Sequence, residues 1–177
     1  DAMTRVHPQA QLHAKFHAGA QDLHFASSAF LVEPSLGKAA GMQFHPWGAG
    51  FGGQAFHTIL PHPGDPTSVT AAISTGGVYR TTDGGGTWSP RSQGISAIFL
   101  PEGQQYPPYG QCVHKVARHP SRPERLYVQN HGGVFRSDDE GGSYTSIAEG
   151  LPSDFGFPMV VHPHEPDTIY VFPLGGG

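Results

Sequence analysis

The sequence predicts an all-β protein made of consecutive four-stranded antiparallel sheets, and three observations support this fold class. Glycine and proline are frequent, at 25 and 17 of 177 residues, which is typical of many short strands joined by tight turns. The segments 76–88 and 132–144 have the same order of residue types, and each reads as a strand, a glycine-rich turn and the start of another strand. Short β-branched and aromatic runs, which favour strands, precede each segment.

Each repeating unit begins with a strand, a His-Pro turn and a second strand, ahead of the glycine-rich segment. The three units place these elements at residues 56–60, 62–66 and 69–74, at residues 113–117, 119–123 and 125–129, and at residues 159–161, 162–166 and 168–172. The second unit is longer because residues 95–111 are inserted before its first strand. The third stops after two strands, so we expect about two and a half units, and we expect the chain to be a piece of a longer protein.

An aspartate organises each glycine-rich turn. Its short carboxylate accepts hydrogen bonds from backbone N–H groups just ahead of it, and the neighbouring glycines adopt positive φ without steric cost. Both turns fit the pattern Ser/Thr-x-Asp-x-Gly-x-Ser/Thr-aromatic, and we call them the aspartate turns (residues 81–88 and 137–144). We interpret the matching residues as structural, since they recur in each unit: Thr81, Asp83, Gly85, Thr87 and Trp88, then Ser137, Asp139, Gly141, Ser143 and Tyr144.

This doubled pattern resembles the Asp-box, or BNR repeat, of sialidase-like proteins of the "glycosyl hydrolase, BNR repeat" family. The resemblance covers residues 44–177 and implies a bacterial β-propeller of four-stranded antiparallel blades with Asp-box turns, of which about two and a half blades are present. Residues 1–43 fit no blade. The apolar spacing within Gln9–Ala26 predicts a short helix or an irregular arm there. We therefore predict an N-terminal arm at 1–43 and a partial propeller at 44–177.

Charge and cysteine content exclude several classes of function. A formal net charge of −4 gives no electrostatic case for nucleic-acid binding. Cys112 is the single cysteine, so an intrachain disulfide framework is excluded. No apolar run reaches the length of a membrane span, and no basic-then-apolar signal segment opens the sequence. We expect a cytoplasmic protein without a cofactor that binds neither nucleic acid nor a membrane.

Antiparallel connectivity assigns each loop to one of two faces. We call the top the face on which the first strand of each unit starts. The His-Pro turns and both aspartate turns then share the bottom face, whereas the insertion, the links between units and the turn 130–132 share the top. Polar top-face residues outside the repeated pattern are our candidates for a ligand site: Gln54, His57, Gln111, His114, Asn130, His131 and Asp154.

Two interpretations of these candidates stay open. In the first, His57 and His114, which occupy equivalent positions in consecutive units, line a polar pocket and supply acid–base or ligand contacts. In the second, both are inner-strand histidines satisfied by neighbouring backbone. The two histidines with Asp154 are also a conceivable metal set, but we expect no metal site. We interpret Cys112 as a buried unreactive thiol.

Other histidines are interpreted as structural or solvated. His62, His119 and His162 recur in the His-Pro turns and are expected to be turn residues. His13 and His17 are four residues apart, as zinc ligands on a helix are, but no third ligand follows at a recognised spacing. We therefore expect these two to be solvated.

The sialidase resemblance implies three convergent arginines and a tyrosine nucleophile paired with a glutamate. Arg80 and Arg136 occupy the same place in separate units and are not expected to converge. Tyr106, Tyr109 and Glu102 lie in the insertion, but nothing in the sequence fixes them together.

Two classes of function therefore remain. The first is a glycosyl hydrolase-related, exo-sialidase-like protein or a scaffold that binds glycan or protein, with no catalytic set visible in this chain. The second is a non-catalytic interaction or assembly-factor propeller. Similar propellers in sortilin-type receptors and photosystem assembly factors have such roles. The expected partners are a carbohydrate or a protein. Open strand edges also predict that the chain self-associates.

Overall fold

The structure, a computed structural model, describes residues 24–26, 29–31 and 55–175. All regular structure in these ranges is β, with twelve strands in sheets of six, four and two, which confirms the predicted all-β class. No helix long and apolar enough to cross a bilayer occurs in these ranges. The strands are β1 His24–Ala26, β2 Ala29–Leu31, β3 Ala55–His62, β4 Asp65–Ile73, β5 Gly77–Thr81, β6 Ser89–Pro90, β7 Val113–Ala117, β8 Leu126–Asn130, β9 Gly133–Ser137, β10 Thr145–Ser146, β11 Gly156–Val161 and β12 Ile169–Pro173.

The sheets follow one another along the chain as blades of a propeller do. In the first sheet, β3, β4, β5 and β6 pair in sequence order and antiparallel. The second sheet repeats this order with β7, β8, β9 and β10. In the third, β11 pairs antiparallel with β12. The described part of the chain thus contains two four-stranded blades and the first two strands of a third, as the repeat predicts.

The prediction of a helix or an irregular arm is wrong at residues 24–26, which are the part of that segment that the structure describes. His24–Ala26 form β1, which pairs with β2, and β2 in turn pairs with β3. The edge of β3 offers unpaired backbone groups, and pairing with them outweighs a weak helical spacing. The rest of the predicted helix lies outside the described residues, as does the predicted boundary at residue 43.

The core lies between the blades and follows the period-2 alternation of the strands. On β8, Leu126 and Val128 face the first blade, where they pack with residues of β4 and β5 in one buried cluster. Tyr127, between them in sequence, faces the third blade and packs with Met159 of β11. Because successive residues of β8 contact opposite neighbours, the second blade is stabilised by burial on both of its faces.

An ion pair and a hydrogen bond connect neighbouring blades on the bottom face. Glu140 of the second aspartate turn forms an ion pair with Arg80 of the first blade. Tyr127 donates from its hydroxyl to the carbonyl oxygen of Pro166 at 2.9 Å. The amide of Gly84 donates at 2.8 Å to the carbonyl oxygen of Thr67 near the start of β4, and the amide of Glu140 donates at 2.8 Å to that of Glu124, just before β8. The aspartate turns and His-Pro turns therefore share one face.

One face of the third sheet is exposed and apolar. Val160, Tyr170 and Phe172 are 59%, 54% and 68% exposed. Tyr170 occupies the place in its blade that Tyr127 holds in the second, and Tyr127 is only 2% exposed because the third sheet covers it. The third sheet therefore presents to solvent the face that the second blade buries.

Candidate functional site

The two aspartate turns have the same hydrogen bonds. In the first, Asp83 accepts from the backbone amide of Thr87 at 2.9 Å and from its hydroxyl at 2.7 Å. In the second, Asp139 accepts from the amide and the hydroxyl of Ser143, both at 2.9 Å. The hydroxyl at the start of each turn donates to the carboxylate at 2.7 Å and accepts the amide of Gly85 or Gly141.

These hydrogen bonds lower the pKa of both carboxylates. The amide of Thr87, followed by the hydroxyl groups, holds the pKa of Asp83 well below its usual range. The pKa of Asp139 is lowered by its bonds to Ser137 and Ser143, which outweigh the opposing effect of burial. Both oxygens of each carboxylate are already used within the turn. The arrangement supports a turn-stabilising role for Asp83 and Asp139.

One turn position requires the left-handed backbone region. Gly84 has φ of 73°, and the equivalent Glu140 has φ of 58°. A non-glycine residue is uncommon there, and its backbone is strained. The Glu140 side chain reaches Arg80 of the first blade and lies 3.7 Å from His62 Nε2. The strained residue is thus the one that ties the second aspartate turn to the first blade.

Histidines close the His-Pro turns with a shared contact. Nδ1 of His62 accepts the amide of Gly64 at 3.1 Å, and Nδ1 of His119 accepts the amide of Ser121 at the same distance. Nδ1 of His162 accepts the amides of His164 and Glu165 at 3.2 and 3.0 Å. As predicted, these three histidines are turn residues.

Each inner strand carries a β-bulge at an equivalent position on the top. The register shifts between Phe56 and Thr58 in β3, where His57 is the extra residue, and between Val113 and Lys115 in β7, where His114 is the extra residue. In β11 the shift falls between Gly156 and Met159, a stretch that includes Phe157. Bulges redirect side chains and are frequent next to functional sites.

Four rings gather on the top between the second and third blades, and we call them the top-face cluster (His114, His131, Phe155 and Phe157). The ring of His114 stacks on Phe157 with centroids 4.3 Å apart, and it meets His131 edge-on at 5.5 Å. Phe155 contacts His131 at 4.8 Å and Phe157 at 5.1 Å. The structure therefore brings together two of the predicted site residues, His114 and His131, with two phenylalanines.

His114 is held in one orientation by polar contacts. Its Nδ1 lies 2.7 Å from the carbonyl oxygen of Gly156, so Nδ1 carries the proton and donates it. Its Nε2 faces the Cys112 thiol at 3.5 Å. The amide of His131 donates to the Cys112 carbonyl oxygen at 3.0 Å, which fixes the turn beside the strand. Burial lowers the pKa of His114, and the bond to Gly156 opposes part of that effect.

His57 has a different environment from His114. Its Nδ1 lies 3.0 Å from the Thr58 hydroxyl, and its side chain is largely shielded from solvent. Burial lowers the pKa of His57 to about 4, and the backbone of Val113 offsets part of this shift. The neutral imidazole is therefore strongly favoured. Among the described residues, the ring of His57 makes no contact with the top-face cluster.

The remaining candidates are placed as follows. Gln111 is buried and donates to the carbonyl oxygen of Pro107 within the insertion. Asn130 is buried, donates to the Ser96 carbonyl oxygen at 2.6 Å and accepts the amide of Gly132. Asp154 is exposed. Gln54 lies outside the described residues. The two buried amides are thus used to hold the insertion and the turn 130–132 in place.

Two residues that the sequence reasoning did not single out shape the top. Gln129 is buried and donates to the carbonyl oxygens of Asn130, Gly133 and Asp154 at 3.0 to 3.1 Å, so it fixes the link between the blades. Phe157 stacks on His114. Phe157 could have been found, because it occupies in the third unit the place of His57 and His114. Gln129 offers no comparable signal in the sequence.

The insertion extends the top-face cluster with exposed apolar groups. A Cβ at Gly132 would meet the Ile98 side chain at 2.4 Å, so Ile98 lies directly on the turn that carries His131. Ile98 is 49% exposed and Phe99 56%. Large exposed apolar side chains beside an aromatic cluster mark a candidate binding surface.

Arginines of the described blades are engaged separately. Arg80 is paired with Glu140 and donates to the Ser68 hydroxyl at 3.1 Å. Arg136 forms an ion pair with Asp138 at 3.0 Å. Each is held within or next to its own blade by an acidic partner. This agrees with the expectation that the two do not converge on one carboxylate.

No family model and no curated protein matches the chain. Among solved structures, it is similar to an ancestral GH74 enzyme at 22% identity and a TM-score of 0.50, over 72% of this chain and 14% of that one. YCF48 from Cyanidioschyzon merolae matches at 18% identity and a TM-score of 0.40, over 62% and 29% of the two chains. A GH74 enzyme from Niastella koreensis matches at 17% and 0.31, over 74% and 30%.

The chain thus spans less than a third of the length of each of these structures. At such identities, the likeness to the ancestral GH74 enzyme bears on the fold alone. It agrees with the strand order and the packing between consecutive sheets. The described chain is therefore part of a β-propeller of four-stranded antiparallel blades.

Proposed function

We propose that this chain is part of a sialidase-like BNR-repeat propeller that binds carbohydrate on its top face, and that the described residues do not catalyse a reaction. The observation that carries the proposal is the top-face cluster, in which each of two imidazoles and two phenyl rings lies within 6 Å of at least two of the others, centroid to centroid. The two aspartates that recur are committed to turns on the opposite face.

The cluster offers the two kinds of contact that sugar recognition uses. Exposed aromatic faces pack against the apolar C–H faces of pyranose rings, and Phe157 is 50% exposed. Imidazole nitrogens donate or accept hydrogen bonds from hydroxyl groups, and His131 is exposed. Apolar walls with a few fixed polar groups are typical of small-ligand sites.

Binding is favoured over turnover because the acidic groups of the two aspartate turns have structural partners. Glycoside hydrolysis generally uses two carboxyl groups that flank the scissile bond. Asp83 and Asp139 hold turns on the bottom face, and Glu140 and Asp138 are paired with arginines. The exo-sialidase-like activity that the resemblance implies therefore has no support from these groups.

A protein partner is the second candidate, and the insertion favours it. Ile98 and Phe99 are both exposed. Ile98 lies against the turn that carries His131, and Phe99 follows Ile98 in the sequence. Exposed apolar patches of this kind are typical of protein interaction sites. A non-catalytic interaction propeller would use the same face with a larger partner.

The test is calorimetric titration of the chain with a panel of neutral β-linked and sialylated oligosaccharides. We expect one or more to bind, and Phe157→Ala or His131→Ala to weaken that binding at least about fivefold. The matched control is Tyr170→Ala, an aromatic residue of similar exposure on β12. If no oligosaccharide binds, or if the control weakens binding equally, the carbohydrate proposal is wrong.

A further inference from the structure

We infer that Cys112, His114 and His131 form a binding site for a transition-metal ion, with Zn²⁺ as the expected occupant. The sequence alone predicts no metal, because Cys112 reads as an unreactive thiol and the histidines weighed with Asp154 as a metal set are His57 and His114. This inference does not rest on carbohydrate binding, and metal uptake can be measured without any sugar.

The three donor atoms converge in the structure. In the part of the chain that the structure describes, one ligand atom from each of these residues lies within 4.8 Å of those from the other two. The Cys112 thiol is 3.5 Å from His114 Nε2. In a tetrahedral zinc site with bonds of about 2.3 Å to sulfur and 2.0–2.1 Å to nitrogen, a sulfur and a nitrogen are separated by about 3.5 Å. The observed separation therefore already fits a shared ion.

The orientation of His114 is that of a metal ligand. Its Nδ1 donates to the carbonyl oxygen of Gly156 at 2.7 Å, which leaves Nε2 unprotonated and directed at the thiol. Metal-binding histidines commonly donate their other ring N–H to a carbonyl or carboxylate, which fixes the tautomer. Gly156 is buried, and a Cβ there would meet the Phe172 carbonyl oxygen at 2.9 Å. The carbonyl that orients His114 is thus itself held closely.

The backbone places the three residues without a mobile loop. Cys112 immediately precedes β7 and His114 is the bulged residue of that strand, and their side chains meet on one side, whereas Val113 between them is buried. His131 lies in the short turn between β8 and β9, and its amide donates to the Cys112 carbonyl oxygen at 3.0 Å. Val113 pairs with Asn130 next to that turn. Ligands on paired strands and a tight turn are held with little freedom.

The donor set favours a borderline or soft ion. A thiolate with two imidazoles suits Zn²⁺ and copper, whereas Mg²⁺ and Ca²⁺ prefer oxygen. Three protein ligands leave a fourth tetrahedral position for water or a ligand donor. His131 is exposed and Cys112 and His114 are partly so, which gives an ion access from the top face. Phe155 and Phe157 form an apolar wall on the His114 side.

The single cysteine provides a direct test in the unaltered protein. The chain, stripped with a chelator and freed of affinity tags, is labelled with a thiol reagent in the presence and absence of one equivalent of Zn²⁺. We expect Zn²⁺ to slow the modification of Cys112 at least about tenfold, since a metal-bound thiolate is protected. Cobalt(II) is expected to give a thiolate-to-metal charge-transfer band. An unchanged labelling rate, with no such band, would mean that the thiol and His114 form only a hydrogen bond.

Variants then assign the ligands. We expect Cys112→Ser, His114→Ala and His131→Ala each to weaken Zn²⁺ binding at least about tenfold by calorimetry, with one site per chain in the parent protein. His164→Ala, on the bottom face, and the double variant His13→Ala/His17→Ala should bind as the parent does. Circular dichroism confirms that each variant is folded. Zn²⁺ binding that survives Cys112→Ser, or that is lost in either control, would overturn the inference.

Discussion

The imidazole of His114 stacks on the ring of Phe157, with centroids 4.3 Å apart and planes 19° from parallel. One residue belongs to the second blade and the other to the third, and both lie at the bulge of their inner strand. The equivalent residue of the first blade, His57, is partly buried and lies apart from these rings. The same repeated position thus supplies a blade-to-blade contact on the top face at one boundary and a partly buried, neutral histidine at the other.

The aspartate turns predict a stability effect without a binding effect. Asp83→Ala removes the acceptor for two bonds from Thr87 and one from Thr81, so we expect a melting temperature lower by several degrees. Thr82→Ala, an exposed change in the same turn, is the control and should melt as the parent does. Loss of ligand or metal binding by folded Asp83→Ala protein would contradict the assignment of this turn to the bottom face.

We expect replacement of the buried Gln129 to reduce stability more than replacement of Asp83 does. Gln129→Met keeps the volume of the side chain but leaves three carbonyl oxygens without their shared donor. We expect the free energy of unfolding to fall by about 1–3 kcal/mol, measured by denaturant titration. The exposed Gln104→Met is the matched control. An unchanged free energy would mean that water replaces the amide at no cost, and the link at Asp154 would then not depend on Gln129.

His57 predicts a pH dependence of stability. Its pKa in the folded protein is about 4, below the ordinary value of 6.5, because the charged form is poorly solvated there. The unfolded chain therefore binds more protons between these two values, and stability that is complete above pH 6.5 is lost as the pH falls towards 4. Between pH 7 and about pH 4.5, this group accounts for about 2 kcal/mol of lost stability.

The variant His57→Gln isolates that contribution. Its free energy of unfolding should fall less than that of the parent between the same two pH values, whereas exposed His164→Gln should follow the parent. If parent and His57→Gln show the same pH slope, the ring is hydrated in the folded protein. His57 would then return as a candidate for the top-face site.

The exposed face of the third sheet predicts self-association. Val160, Tyr170 and Phe172 present an apolar surface whose equivalent in the second blade is buried, and a second copy of this chain is the occupant available in purified protein. Light scattering should show dimers or larger species, and Tyr170→Lys with Phe172→Lys should shift them towards monomer. A cooperatively melting monomer of the parent chain would contradict this prediction.

Much of the fold follows from the sequence because it is periodic. Two in-register aspartate turns and three His-Pro turns fix where strands begin and end, and the turn roles of His62 and His119 follow from their recurrence. The strand at His24–Ala26 does not follow from the sequence, because it pairs with β2, and β2 is joined to the first blade by a long-range pairing with β3 that has no local signal.

The candidate site was predictable only in part. Connectivity places His57 and His114 at equivalent points, but their environments depend on the neighbouring blade. The rings of Phe155 and Phe157 pack on His114, whereas His57 is largely shielded from solvent and makes no contact with these rings. Asn130 and Gln111 looked available because their burial under the insertion is invisible in the sequence. The contacts of Cys112 with His114 and with the turn that carries His131 depend on the pairing of the strands and have no signal in the sequence.

The most direct test of the account is a histidine-resolved NMR titration of the chain with the oligosaccharide that binds best. Imidazole signals report both faces in one experiment, because His114 and His131 lie on the top and His62, His119 and His162 close turns on the bottom. We predict that ligand shifts the signals of His114 and His131 and leaves the three turn histidines unmoved. Shifts confined to His62, His119 and His162 would place the binding face with the aspartate turns and contradict the account.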